Sequence, residues 1–232
     1  MPHRRSAIVM LTASLLFTSG RVAECVTLNQ VDLFQGSKDN WTDGHGGTDG
    51  TLVGTGGPNG AGDSYLQISS GTFGGEPRLV TFNEAQWTGN YIAAGVNEIS
   101  MSLKNFGPST LPIRITIRDA AGGQTVGGYS SKNPFMLPAD GQWHTAQFLL
   151  DAADMTPVGF SALPPLATEL TAVQDLRLVS AGQPSIIGDA INARIGVDDI
   201  RAASVPEPAA YILLTVGGAA IAAWRVARRC AS

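Results

Sequence analysis

The chain is poor in the residue types that most often carry catalysis or form a disulfide framework. It contains only two cysteines and three histidines in 232 residues. Neither the glycine-flanked serine of the α/β-hydrolase elbow nor the paired-histidine helix of the zinc proteases is present in the sequence. The common hydrolase templates therefore have no support. A glycosidase stays open as an alternative, because a pair of carboxylates needs no local motif.

Basic residues are scarce in the body of the chain. Between residues 26 and 204 there are nine Lys or Arg against seventeen Asp or Glu, a net charge of about −8, because six of the fifteen basic residues lie in the two terminal segments. Proteins that bind nucleic acid need a basic surface for the phosphates. The sequence therefore predicts no nucleic-acid partner, and its acidity is compatible with calcium.

Long apolar runs are scarce as well, and only one, near the C-terminus, approaches the length of a membrane span. Residues 209–224 form an apolar stretch of roughly 16 residues, about 24 Å as a helix, against the usual ~20 residues for a bilayer. Arg225, Arg228 and Arg229 follow it in a basic tail, 225–232. By the positive-inside rule the tail is cytoplasmic. We predict a transmembrane helix over 209–224, with the body of the chain outside.

Four residues, Val205, Pro206, Glu207 and Pro208, directly precede this helix. The motif, the short apolar helix and the arginine cluster at the extreme C-terminus together resemble the PEP-CTERM sorting signal of Gram-negative bacteria. The resemblance implies that residues 205–232 are a sorting segment, read by a membrane-embedded exosortase that removes it near the tripeptide. A plain C-terminal membrane anchor after a proline-rich linker is the alternative.

The N-terminus predicts export. His3, Arg4 and Arg5 are followed by an apolar run from Ala7 to Phe17 and by small residues suited to cleavage. We interpret residues 1–23 as a secretory signal peptide that uses the Sec export machinery. A lipoprotein signal ending at Cys25 is the competing interpretation.

Export also bears on the two cysteines. Cys25 begins the mature chain, whereas Cys230 lies in the predicted cytoplasmic tail. A membrane would separate them, so no intramolecular disulfide is expected.

Short alternating apolar runs fill residues 26–204, separated by Gly, Pro, Asn and Asp. They are Tyr65–Ile68, Glu98–Leu103, Leu111–Ile117, Trp143–Leu150 and Ile195–Val197. Alternation with period two predicts half-buried antiparallel strands. The fold class is therefore all-β, a single antiparallel β-sandwich or jelly roll.

Two features of the body are predicted to interrupt the strands. Gly127-Gly128 is interpreted as a turn. Asp151–Thr171 contains three prolines, at positions 157, 164 and 165, and is interpreted as a surface connection with one helical turn.

The order of motifs in the body also resembles bacterial relatives of the laminin B domain. The motifs that carry the likeness run from Asp32-Leu33-Phe34 through Gly60–Leu66, Gln86–Tyr91 and Asp140–His144 to Ile195–Ile200. Those relatives are extracellular jelly rolls akin to carbohydrate-binding modules. The resemblance implies a jelly roll, and a structural calcium site in some members.

Three aspartates are candidate calcium ligands. Asp32 is near the first strand, Asp63 lies in a glycine-rich turn, and Asp198, with Asp199 as the alternative, is in the last strand. The terminal strands of jelly rolls often lie side by side, and calcium prefers oxygen ligands gathered at one edge of a sandwich. We therefore expect these carboxylates to converge.

Two aromatic residues are candidates for stacking on sugar. Trp87 and Tyr91 flank Thr88-Gly89-Asn90, a turn that the sequence predicts to be exposed. Most tryptophans in a sandwich fill its core, and Trp143, inside a strand, is assigned there.

These observations predict an exported, exosortase-sorted protein of the cell surface or extracellular matrix. It is predicted to be non-enzymatic and either structural or associated with extracellular polysaccharide. A carbohydrate-binding adhesin and a carbohydrate-active enzyme with paired carboxylates are the alternatives.

Overall fold

The computed structural model describes residues 25–42, 50–73, 75–119, 127–159 and 163–205. The predicted signal peptide and the predicted helix over 209–224 lie outside the described residues. So do Pro206, Glu207, Pro208 and the three arginines of the tail. Within the described part of the chain, no helix has the length and apolar character needed to cross a membrane.

Two antiparallel sheets contain most of the described strands. The front sheet contains β1 (Val31–Asp32), β3 (Thr51–Val53), β4 (Tyr65–Ser69), β8 (Glu98–Asn105), β12 (Trp143–Leu149) and β15 (Arg194–Ala203). The back sheet contains β2 (Trp41–Thr42), β7 (Val80–Asn83), β9 (Leu111–Asp119), β10 (Gly127–Ser131), β11 (Phe135–Leu137), β13 (Met155–Gly159) and β14 (Val173–Ser180). A small hairpin is formed by β5 (Gly71–Phe73) and β6 (Glu76–Arg78), and α1 (Tyr91–Ala94) and α2 (Leu166–Glu169) are single turns.

Strand order places β15 in the middle of the front sheet. The front order is β12-β8-β15-β4-β3, with β1 also paired to β15, and the back order is β13-β10-β9-β14-β7-β2, with β11 paired to β9. The first and last strands of the body therefore lie side by side, as the sequence predicts.

Period-two alternation explains how the two sheets form one core. On β8, Ile99, Met101 and Leu103 are buried, whereas the intervening serines and Lys104 are partly exposed. The isoleucines of β9 at 113, 115 and 117 are buried in the same hydrophobic cluster. Because apolar side chains of both sheets pack into this cluster, the predicted all-β antiparallel sandwich is confirmed. The five predicted runs lie in strands, except that Leu150 follows the end of β12.

Two local predictions are wrong. Pro157 lies inside β13, which is tolerated because β13 is an edge strand and proline's missing N–H costs no ladder bond on the free side. Gly127-Gly128 begins β10 rather than forming a turn. A Cβ at Gly128 would lie 2.2 Å from the carbonyl oxygen of Ile117, so glycine here allows close strand approach.

The outer face of the back sheet is covered by the segment between β14 and β15. Thr116 Oγ1 donates to the carbonyl of Ser185 at 2.8 Å, and the guanidinium of Arg114 donates to the carbonyls of Ala181 and Gly182. Thr116 and Arg114 are buried as a result. This face is closed by the chain itself.

The described body ends at Val205, beside β8. The Val205 N–H donates to Asn97 Oδ1 at 2.7 Å, and Asn97 Nδ2 donates to the Val205 carbonyl at 3.1 Å. These two bonds tie the residue that precedes Pro206 to the sandwich.

Candidate functional site

Trp87 and Tyr91 cannot serve as a sugar-stacking surface, so that prediction is wrong. Both side chains are 0% exposed. The segment between them is not the predicted turn, because Thr88 and Gly89 form β-bridges and the Gly89 N–H donates to the Val173 carbonyl at 2.7 Å. The Tyr91 hydroxyl donates to the Trp87 carbonyl at 2.9 Å. These two aromatics close one end of the core.

Asp32 is a core carboxylate held by tryptophans. Trp87 Nε1 donates to it at 2.6 Å, Trp41 Nε1 donates at 2.7 Å, and Gln86 Nε2 donates at 3.1 Å. Burial raises the pKa of Asp32, and the hydrogen bonds from the two indoles and Gln86 act in the opposite direction. The Asp32 carboxylate therefore accepts the hydrogen bonds of the two buried indole N–H groups within the core.

The predicted convergence of Asp32, Asp63 and Asp198 is wrong for Asp32. Asp32 pairs with Ile200, whose side chain is in the core, whereas Asp198 alternates with buried Val197 and faces outward. The two carboxylates therefore lie on opposite faces of one sheet. The described residues hold no group of three His, Cys, Asp or Glu side chains arranged for a metal.

Asp63 and Asp198 do meet. The loop 54–64 between β3 and β4 folds over the outer face of β15, and a Cβ at Gly57 would contact Oδ2 of both Asp63, at 2.4 Å, and Asp198, at 3.1 Å. Asp198 is only 1% exposed. Asp63 accepts bonds from Gln35 Nε2 at 3.0 Å and from the Asn59 N–H at 2.8 Å. The loop thus brings two carboxylates together.

Burial raises the pKa of Asp198 to about 7, with the neighbouring Asp199 and Asp63 carboxylates adding to the rise. The Asp199 N–H, which donates to Asp198 Oδ1 at 2.7 Å, lowers the pKa, and so does the charge of Arg201. A carboxylate pair in this setting is destabilising at neutral pH unless a cation balances it.

In buffer without divalent cations, we expect the free energy of unfolding to fall as pH rises from about 4 to about 7. The folded Asp198 holds its proton up to about pH 7, whereas the unfolded group releases it near 3.8, so folding is penalised increasingly across that window and fully above it. Urea denaturation at pH 5 and pH 8 measures the difference. Asp198→Asn, which cannot titrate, should show a smaller loss, and equal losses in both proteins would contradict the assignment.

An aromatic cluster lies on the outer face of the front sheet, next to the same loop. Trp143 and Tyr65 meet edge to face with centroids 5.3 Å apart, and Tyr65 and Phe106 lie 6.2 Å apart. Trp143 Nε1 donates to the Gly56 carbonyl at 3.0 Å. Trp143 and Phe106 are partly exposed, whereas Tyr65 is 8% exposed. Trp143 is therefore not a core residue, and that prediction is wrong.

Register explains why these side chains meet. Trp143 pairs with Lys104, Lys104 pairs with Gly196, and Gly196 pairs with Gln67, which forms one row across four strands. A Cβ at Gly196 would lie 2.8 Å from Trp143 Cη2 and 3.2 Å from Tyr65 Cδ2. The indole therefore occupies the space that a side chain at position 196 would fill.

Two cations flank the cluster. Lys104 Nζ lies 5.6 Å from the centroid of Phe106 and 5.9 Å from that of Trp143. Arg194 Cζ lies 5.3 Å from the Phe106 centroid. Cation–π attraction holds both groups near the rings.

Sequence reasoning had a signal for this cluster that it did not use. Trp143 is in phase with polar Thr145 and Gln147 and out of phase with buried Ala146 and Phe148. Tyr65 is likewise in phase with Gln67 and Ser69. Period two assigns both aromatics to the solvent face.

A groove of about 1120 Å³ lies between β1 and β2, and it is the main rival site among the described residues. Its lining includes Asp32, Trp41 and Gln86. Trp41 is only 2% exposed, and Gln86 Nε2 donates to Asp32 and to the Asp39 carbonyl. Asp32, Trp41 and Gln86 are thus bonded to one another or to the Asp39 carbonyl, so these three side chains are already engaged within the protein.

Comparison with known proteins decides the role of the C-terminal segment. Residues 204–229 match the PEP-CTERM protein-sorting motif. The motif marks proteins that are exported to the cell envelope or surface, and it indicates sorting by an exosortase. The predicted sorting signal and localisation are therefore confirmed. No curated protein matches the chain.

The body is similar in fold to carbohydrate-binding modules. A family 11 carbohydrate-binding module from Clostridium thermocellum, in complex with a β-1,3-1,4-mixed-linked tetrasaccharide, is 17% identical over 78% of this chain and 97% of the module, with a TM-score of 0.51. The solution structure of CtCBM11 is 18% identical over 78% of this chain and 98% of the module, with a TM-score of 0.49. An exo-β-agarase is 10% identical over 78% of this chain and 25% of the agarase, with a TM-score of 0.50. The two likenesses with TM-scores of 0.50 and 0.51 confirm the jelly-roll fold.

Proposed function

We propose that this surface protein binds glycan without catalysing a reaction, and that its site is the cluster of Trp143, Tyr65 and Phe106. The observation that carries the proposal is the partly exposed indole of Trp143, fixed to the Gly56 carbonyl on the outer face of the front sheet. An aromatic ring held in one orientation can stack on the apolar face of a sugar at small entropic cost. The tetrasaccharide complex of the similar family 11 module supports the same ligand class.

The carboxylate pair does not favour the enzyme alternative. A glycosidase needs two carboxyl groups that both reach the substrate. Asp198 is 1% exposed and lies beneath Gly57 of the loop. Because Gly57 covers Asp198, the Asp63 and Asp198 carboxylates are better suited to holding the loop 54–64 in place than to reaching a substrate.

Retention of the processed protein on insoluble polysaccharides tests the proposal. We expect mixed-linked β-glucan or another polymer of a broad panel to retain the protein without releasing reducing ends. Release of reducing ends would favour the enzyme alternative. The absence of retention on every polymer would overturn the proposal.

We further propose that calcium holds the loop 54–64 against β15. Calcium prefers six to eight oxygen ligands at 2.3–2.6 Å. Asp63 and Asp198 would supply carboxylate oxygens, and the close approach of these two like charges is the feature of the described residues that fits a bound cation. The Gly56 carbonyl that accepts from Trp143 belongs to this loop. Calcium would therefore also stabilise the aromatic site.

We expect EDTA to lower the melting temperature by roughly 5–10 °C relative to excess calcium. Free calcium at 100 times its Kd adds about 2.7 kcal/mol, and each kcal/mol moves the melting temperature by about 2–4 °C for a domain of this size. Differential scanning calorimetry measures the shift. The Asp198→Asn variant should show no shift in melting temperature between EDTA and calcium. The Asp140→Asn variant should keep the shift, because the Asp140 carboxylate is bonded to His144 and not to the loop. An unchanged wild-type melting temperature would refute the calcium proposal.

A further inference from the structure

The basic residues of the body are nearly all engaged by the protein itself. Arg78, Arg114 and Lys132 donate to backbone carbonyls. Arg118 and Arg177 bind Asp175, and Arg201 binds Asp199. Lys38 also has a partner. These seven positive charges are therefore committed to the fold.

The remaining two basic residues of the body are Lys104 and Arg194, and both lie at the aromatic cluster. Among the residues that the structure describes, neither has a carboxylate within ion-pair distance, and their contacts are with the rings of Phe106 and, for Lys104, Trp143. A ring attracts a cation but does not neutralise its charge, and it accepts no conventional hydrogen bond from the ammonium or guanidinium. Both groups keep donors for a ligand.

Lys104 and Arg194 lie beside the aromatic rings of the proposed site. Lys104 is the cross-strand partner of Trp143, and its Nζ lies 5.9 Å from the Trp143 ring. Arg194 approaches the same Phe106 ring as Lys104, at 5.3 Å. A sugar stacked on Trp143 would therefore carry its substituents to within reach of a cation.

The net charge of residues 26–204 is negative, which makes the positive charges of Lys104 and Arg194 stand out. A net charge of about −8 repels polyanions at long range. Two uncommitted cations at the aromatic cluster form a local positive site on an acidic protein. Such complementarity selects among ligands more than it adds raw affinity.

We infer that the glycan bound at this cluster is anionic, carrying a uronate carboxylate or a sulfate ester that Lys104 and Arg194 recognise. The inference rests on the proposed function. Aromatic stacking supplies recognition of the sugar ring, and the two cations supply selection for the charged substituent. Arg194 suits this role because its guanidinium can bind an oxyanion with two parallel hydrogen bonds.

Affinity electrophoresis with matched polymer pairs tests the inference. Each pair shares a sugar backbone, and one member carries anionic substituents where the other is neutral: polygalacturonate and its methyl ester, carboxymethylcellulose and hydroxyethylcellulose, and dextran sulfate and dextran. The processed protein, with calcium present, is run at about 20 mM and about 300 mM NaCl. We expect one anionic polymer to be bound at least about tenfold more tightly than its neutral partner, with the preference reduced at high salt.

Variants separate the inference from the proposed function. The double variant Lys104→Gln/Arg194→Gln should lose the preference, whereas Lys132→Gln, which removes a charge bonded to the carbonyls of Ala152 and Ala153, should retain it. Equal binding of neutral and anionic partners, lost in Trp143→Ala, would overturn the inference and leave the proposed function standing. Anionic binding that survives Trp143→Ala would indicate ion exchange and overturn both, as would binding to no polymer.

Discussion

Replacing Trp143 with alanine should reduce glycan affinity by roughly 30-fold or more. Central tryptophans of binding sites typically cost at least about 2 kcal/mol on truncation, and each 1.4 kcal/mol is a factor of ten. The change removes the ring that stacks, the bond to the Gly56 carbonyl and the edge contact with Tyr65. Affinity electrophoresis or isothermal titration calorimetry on the polymer that retains the wild-type protein measures the loss.

Two variants control for indirect effects of that change. Trp143→Phe keeps a ring but cannot donate to Gly56, so an intermediate affinity is expected. Gln147→Ala alters an exposed residue on the same strand and the same face, and should bind as the wild type does. A folded Trp143→Ala protein with unaltered affinity would place the glycan elsewhere.

Replacing Trp87 with alanine should instead act on stability. Truncating a buried tryptophan costs about 3–5 kcal/mol, and loss of the indole N–H leaves the buried Asp32 carboxylate with one donor fewer. Because domains are stable by only about 5–15 kcal/mol, much of this protein's stability would be lost. Urea denaturation followed by tryptophan fluorescence and circular dichroism measures the loss.

The Trp87→Phe variant distinguishes burial from binding. It preserves most of the volume and removes only the donor to Asp32, so a smaller loss of stability is expected. Its glycan affinity, measured where it is fully folded, should equal that of the wild type. A Trp87→Ala protein of normal stability that no longer retains glycan would restore the sequence-based hypothesis of stacking at Trp87.

Trp87 and Trp143 show which properties of the site could be predicted from the sequence. Trp87 was expected at the surface because it precedes Thr88-Gly89-Asn90, but Gly89 pairs with Val173, the first residue of β14. Trp143 was expected in the core because it begins a strand, although strand parity places it outside. Local context predicted the strand at Trp143 correctly but not its exposed face, and the turn predicted at Thr88-Gly89-Asn90 is wrong because Thr88 and Gly89 form β-bridges.

For the three aspartates, too, the sequence predicted which strands are adjacent but not which side chains meet. Asp63 and Asp198 were expected together, and they meet because the loop 54–64 folds onto β15. Asp32 was expected with them because its strand pairs with β15, and that pairing is present. The irregular register between Asp198 and Arg201 and the inward side of β1 nevertheless place Asp32 among the tryptophans. Adjacent strands bring backbones together, and side-chain parity decides whether carboxylates meet.

The sequence by itself determined the sorting segment, predicted over 205–232 and matched over 204–229, and the all-β class. Both are local in nature: a sorting signal is recognised from a short linear order of residues, and a strand shows its period two within a few residues. Only the tertiary structure decided that Trp143, Lys104 and Gly196 form one row, and that a loop joins Asp63 to Asp198 beside it. Those contacts depend on strand order and register between segments far apart in the chain, which no local pattern specifies.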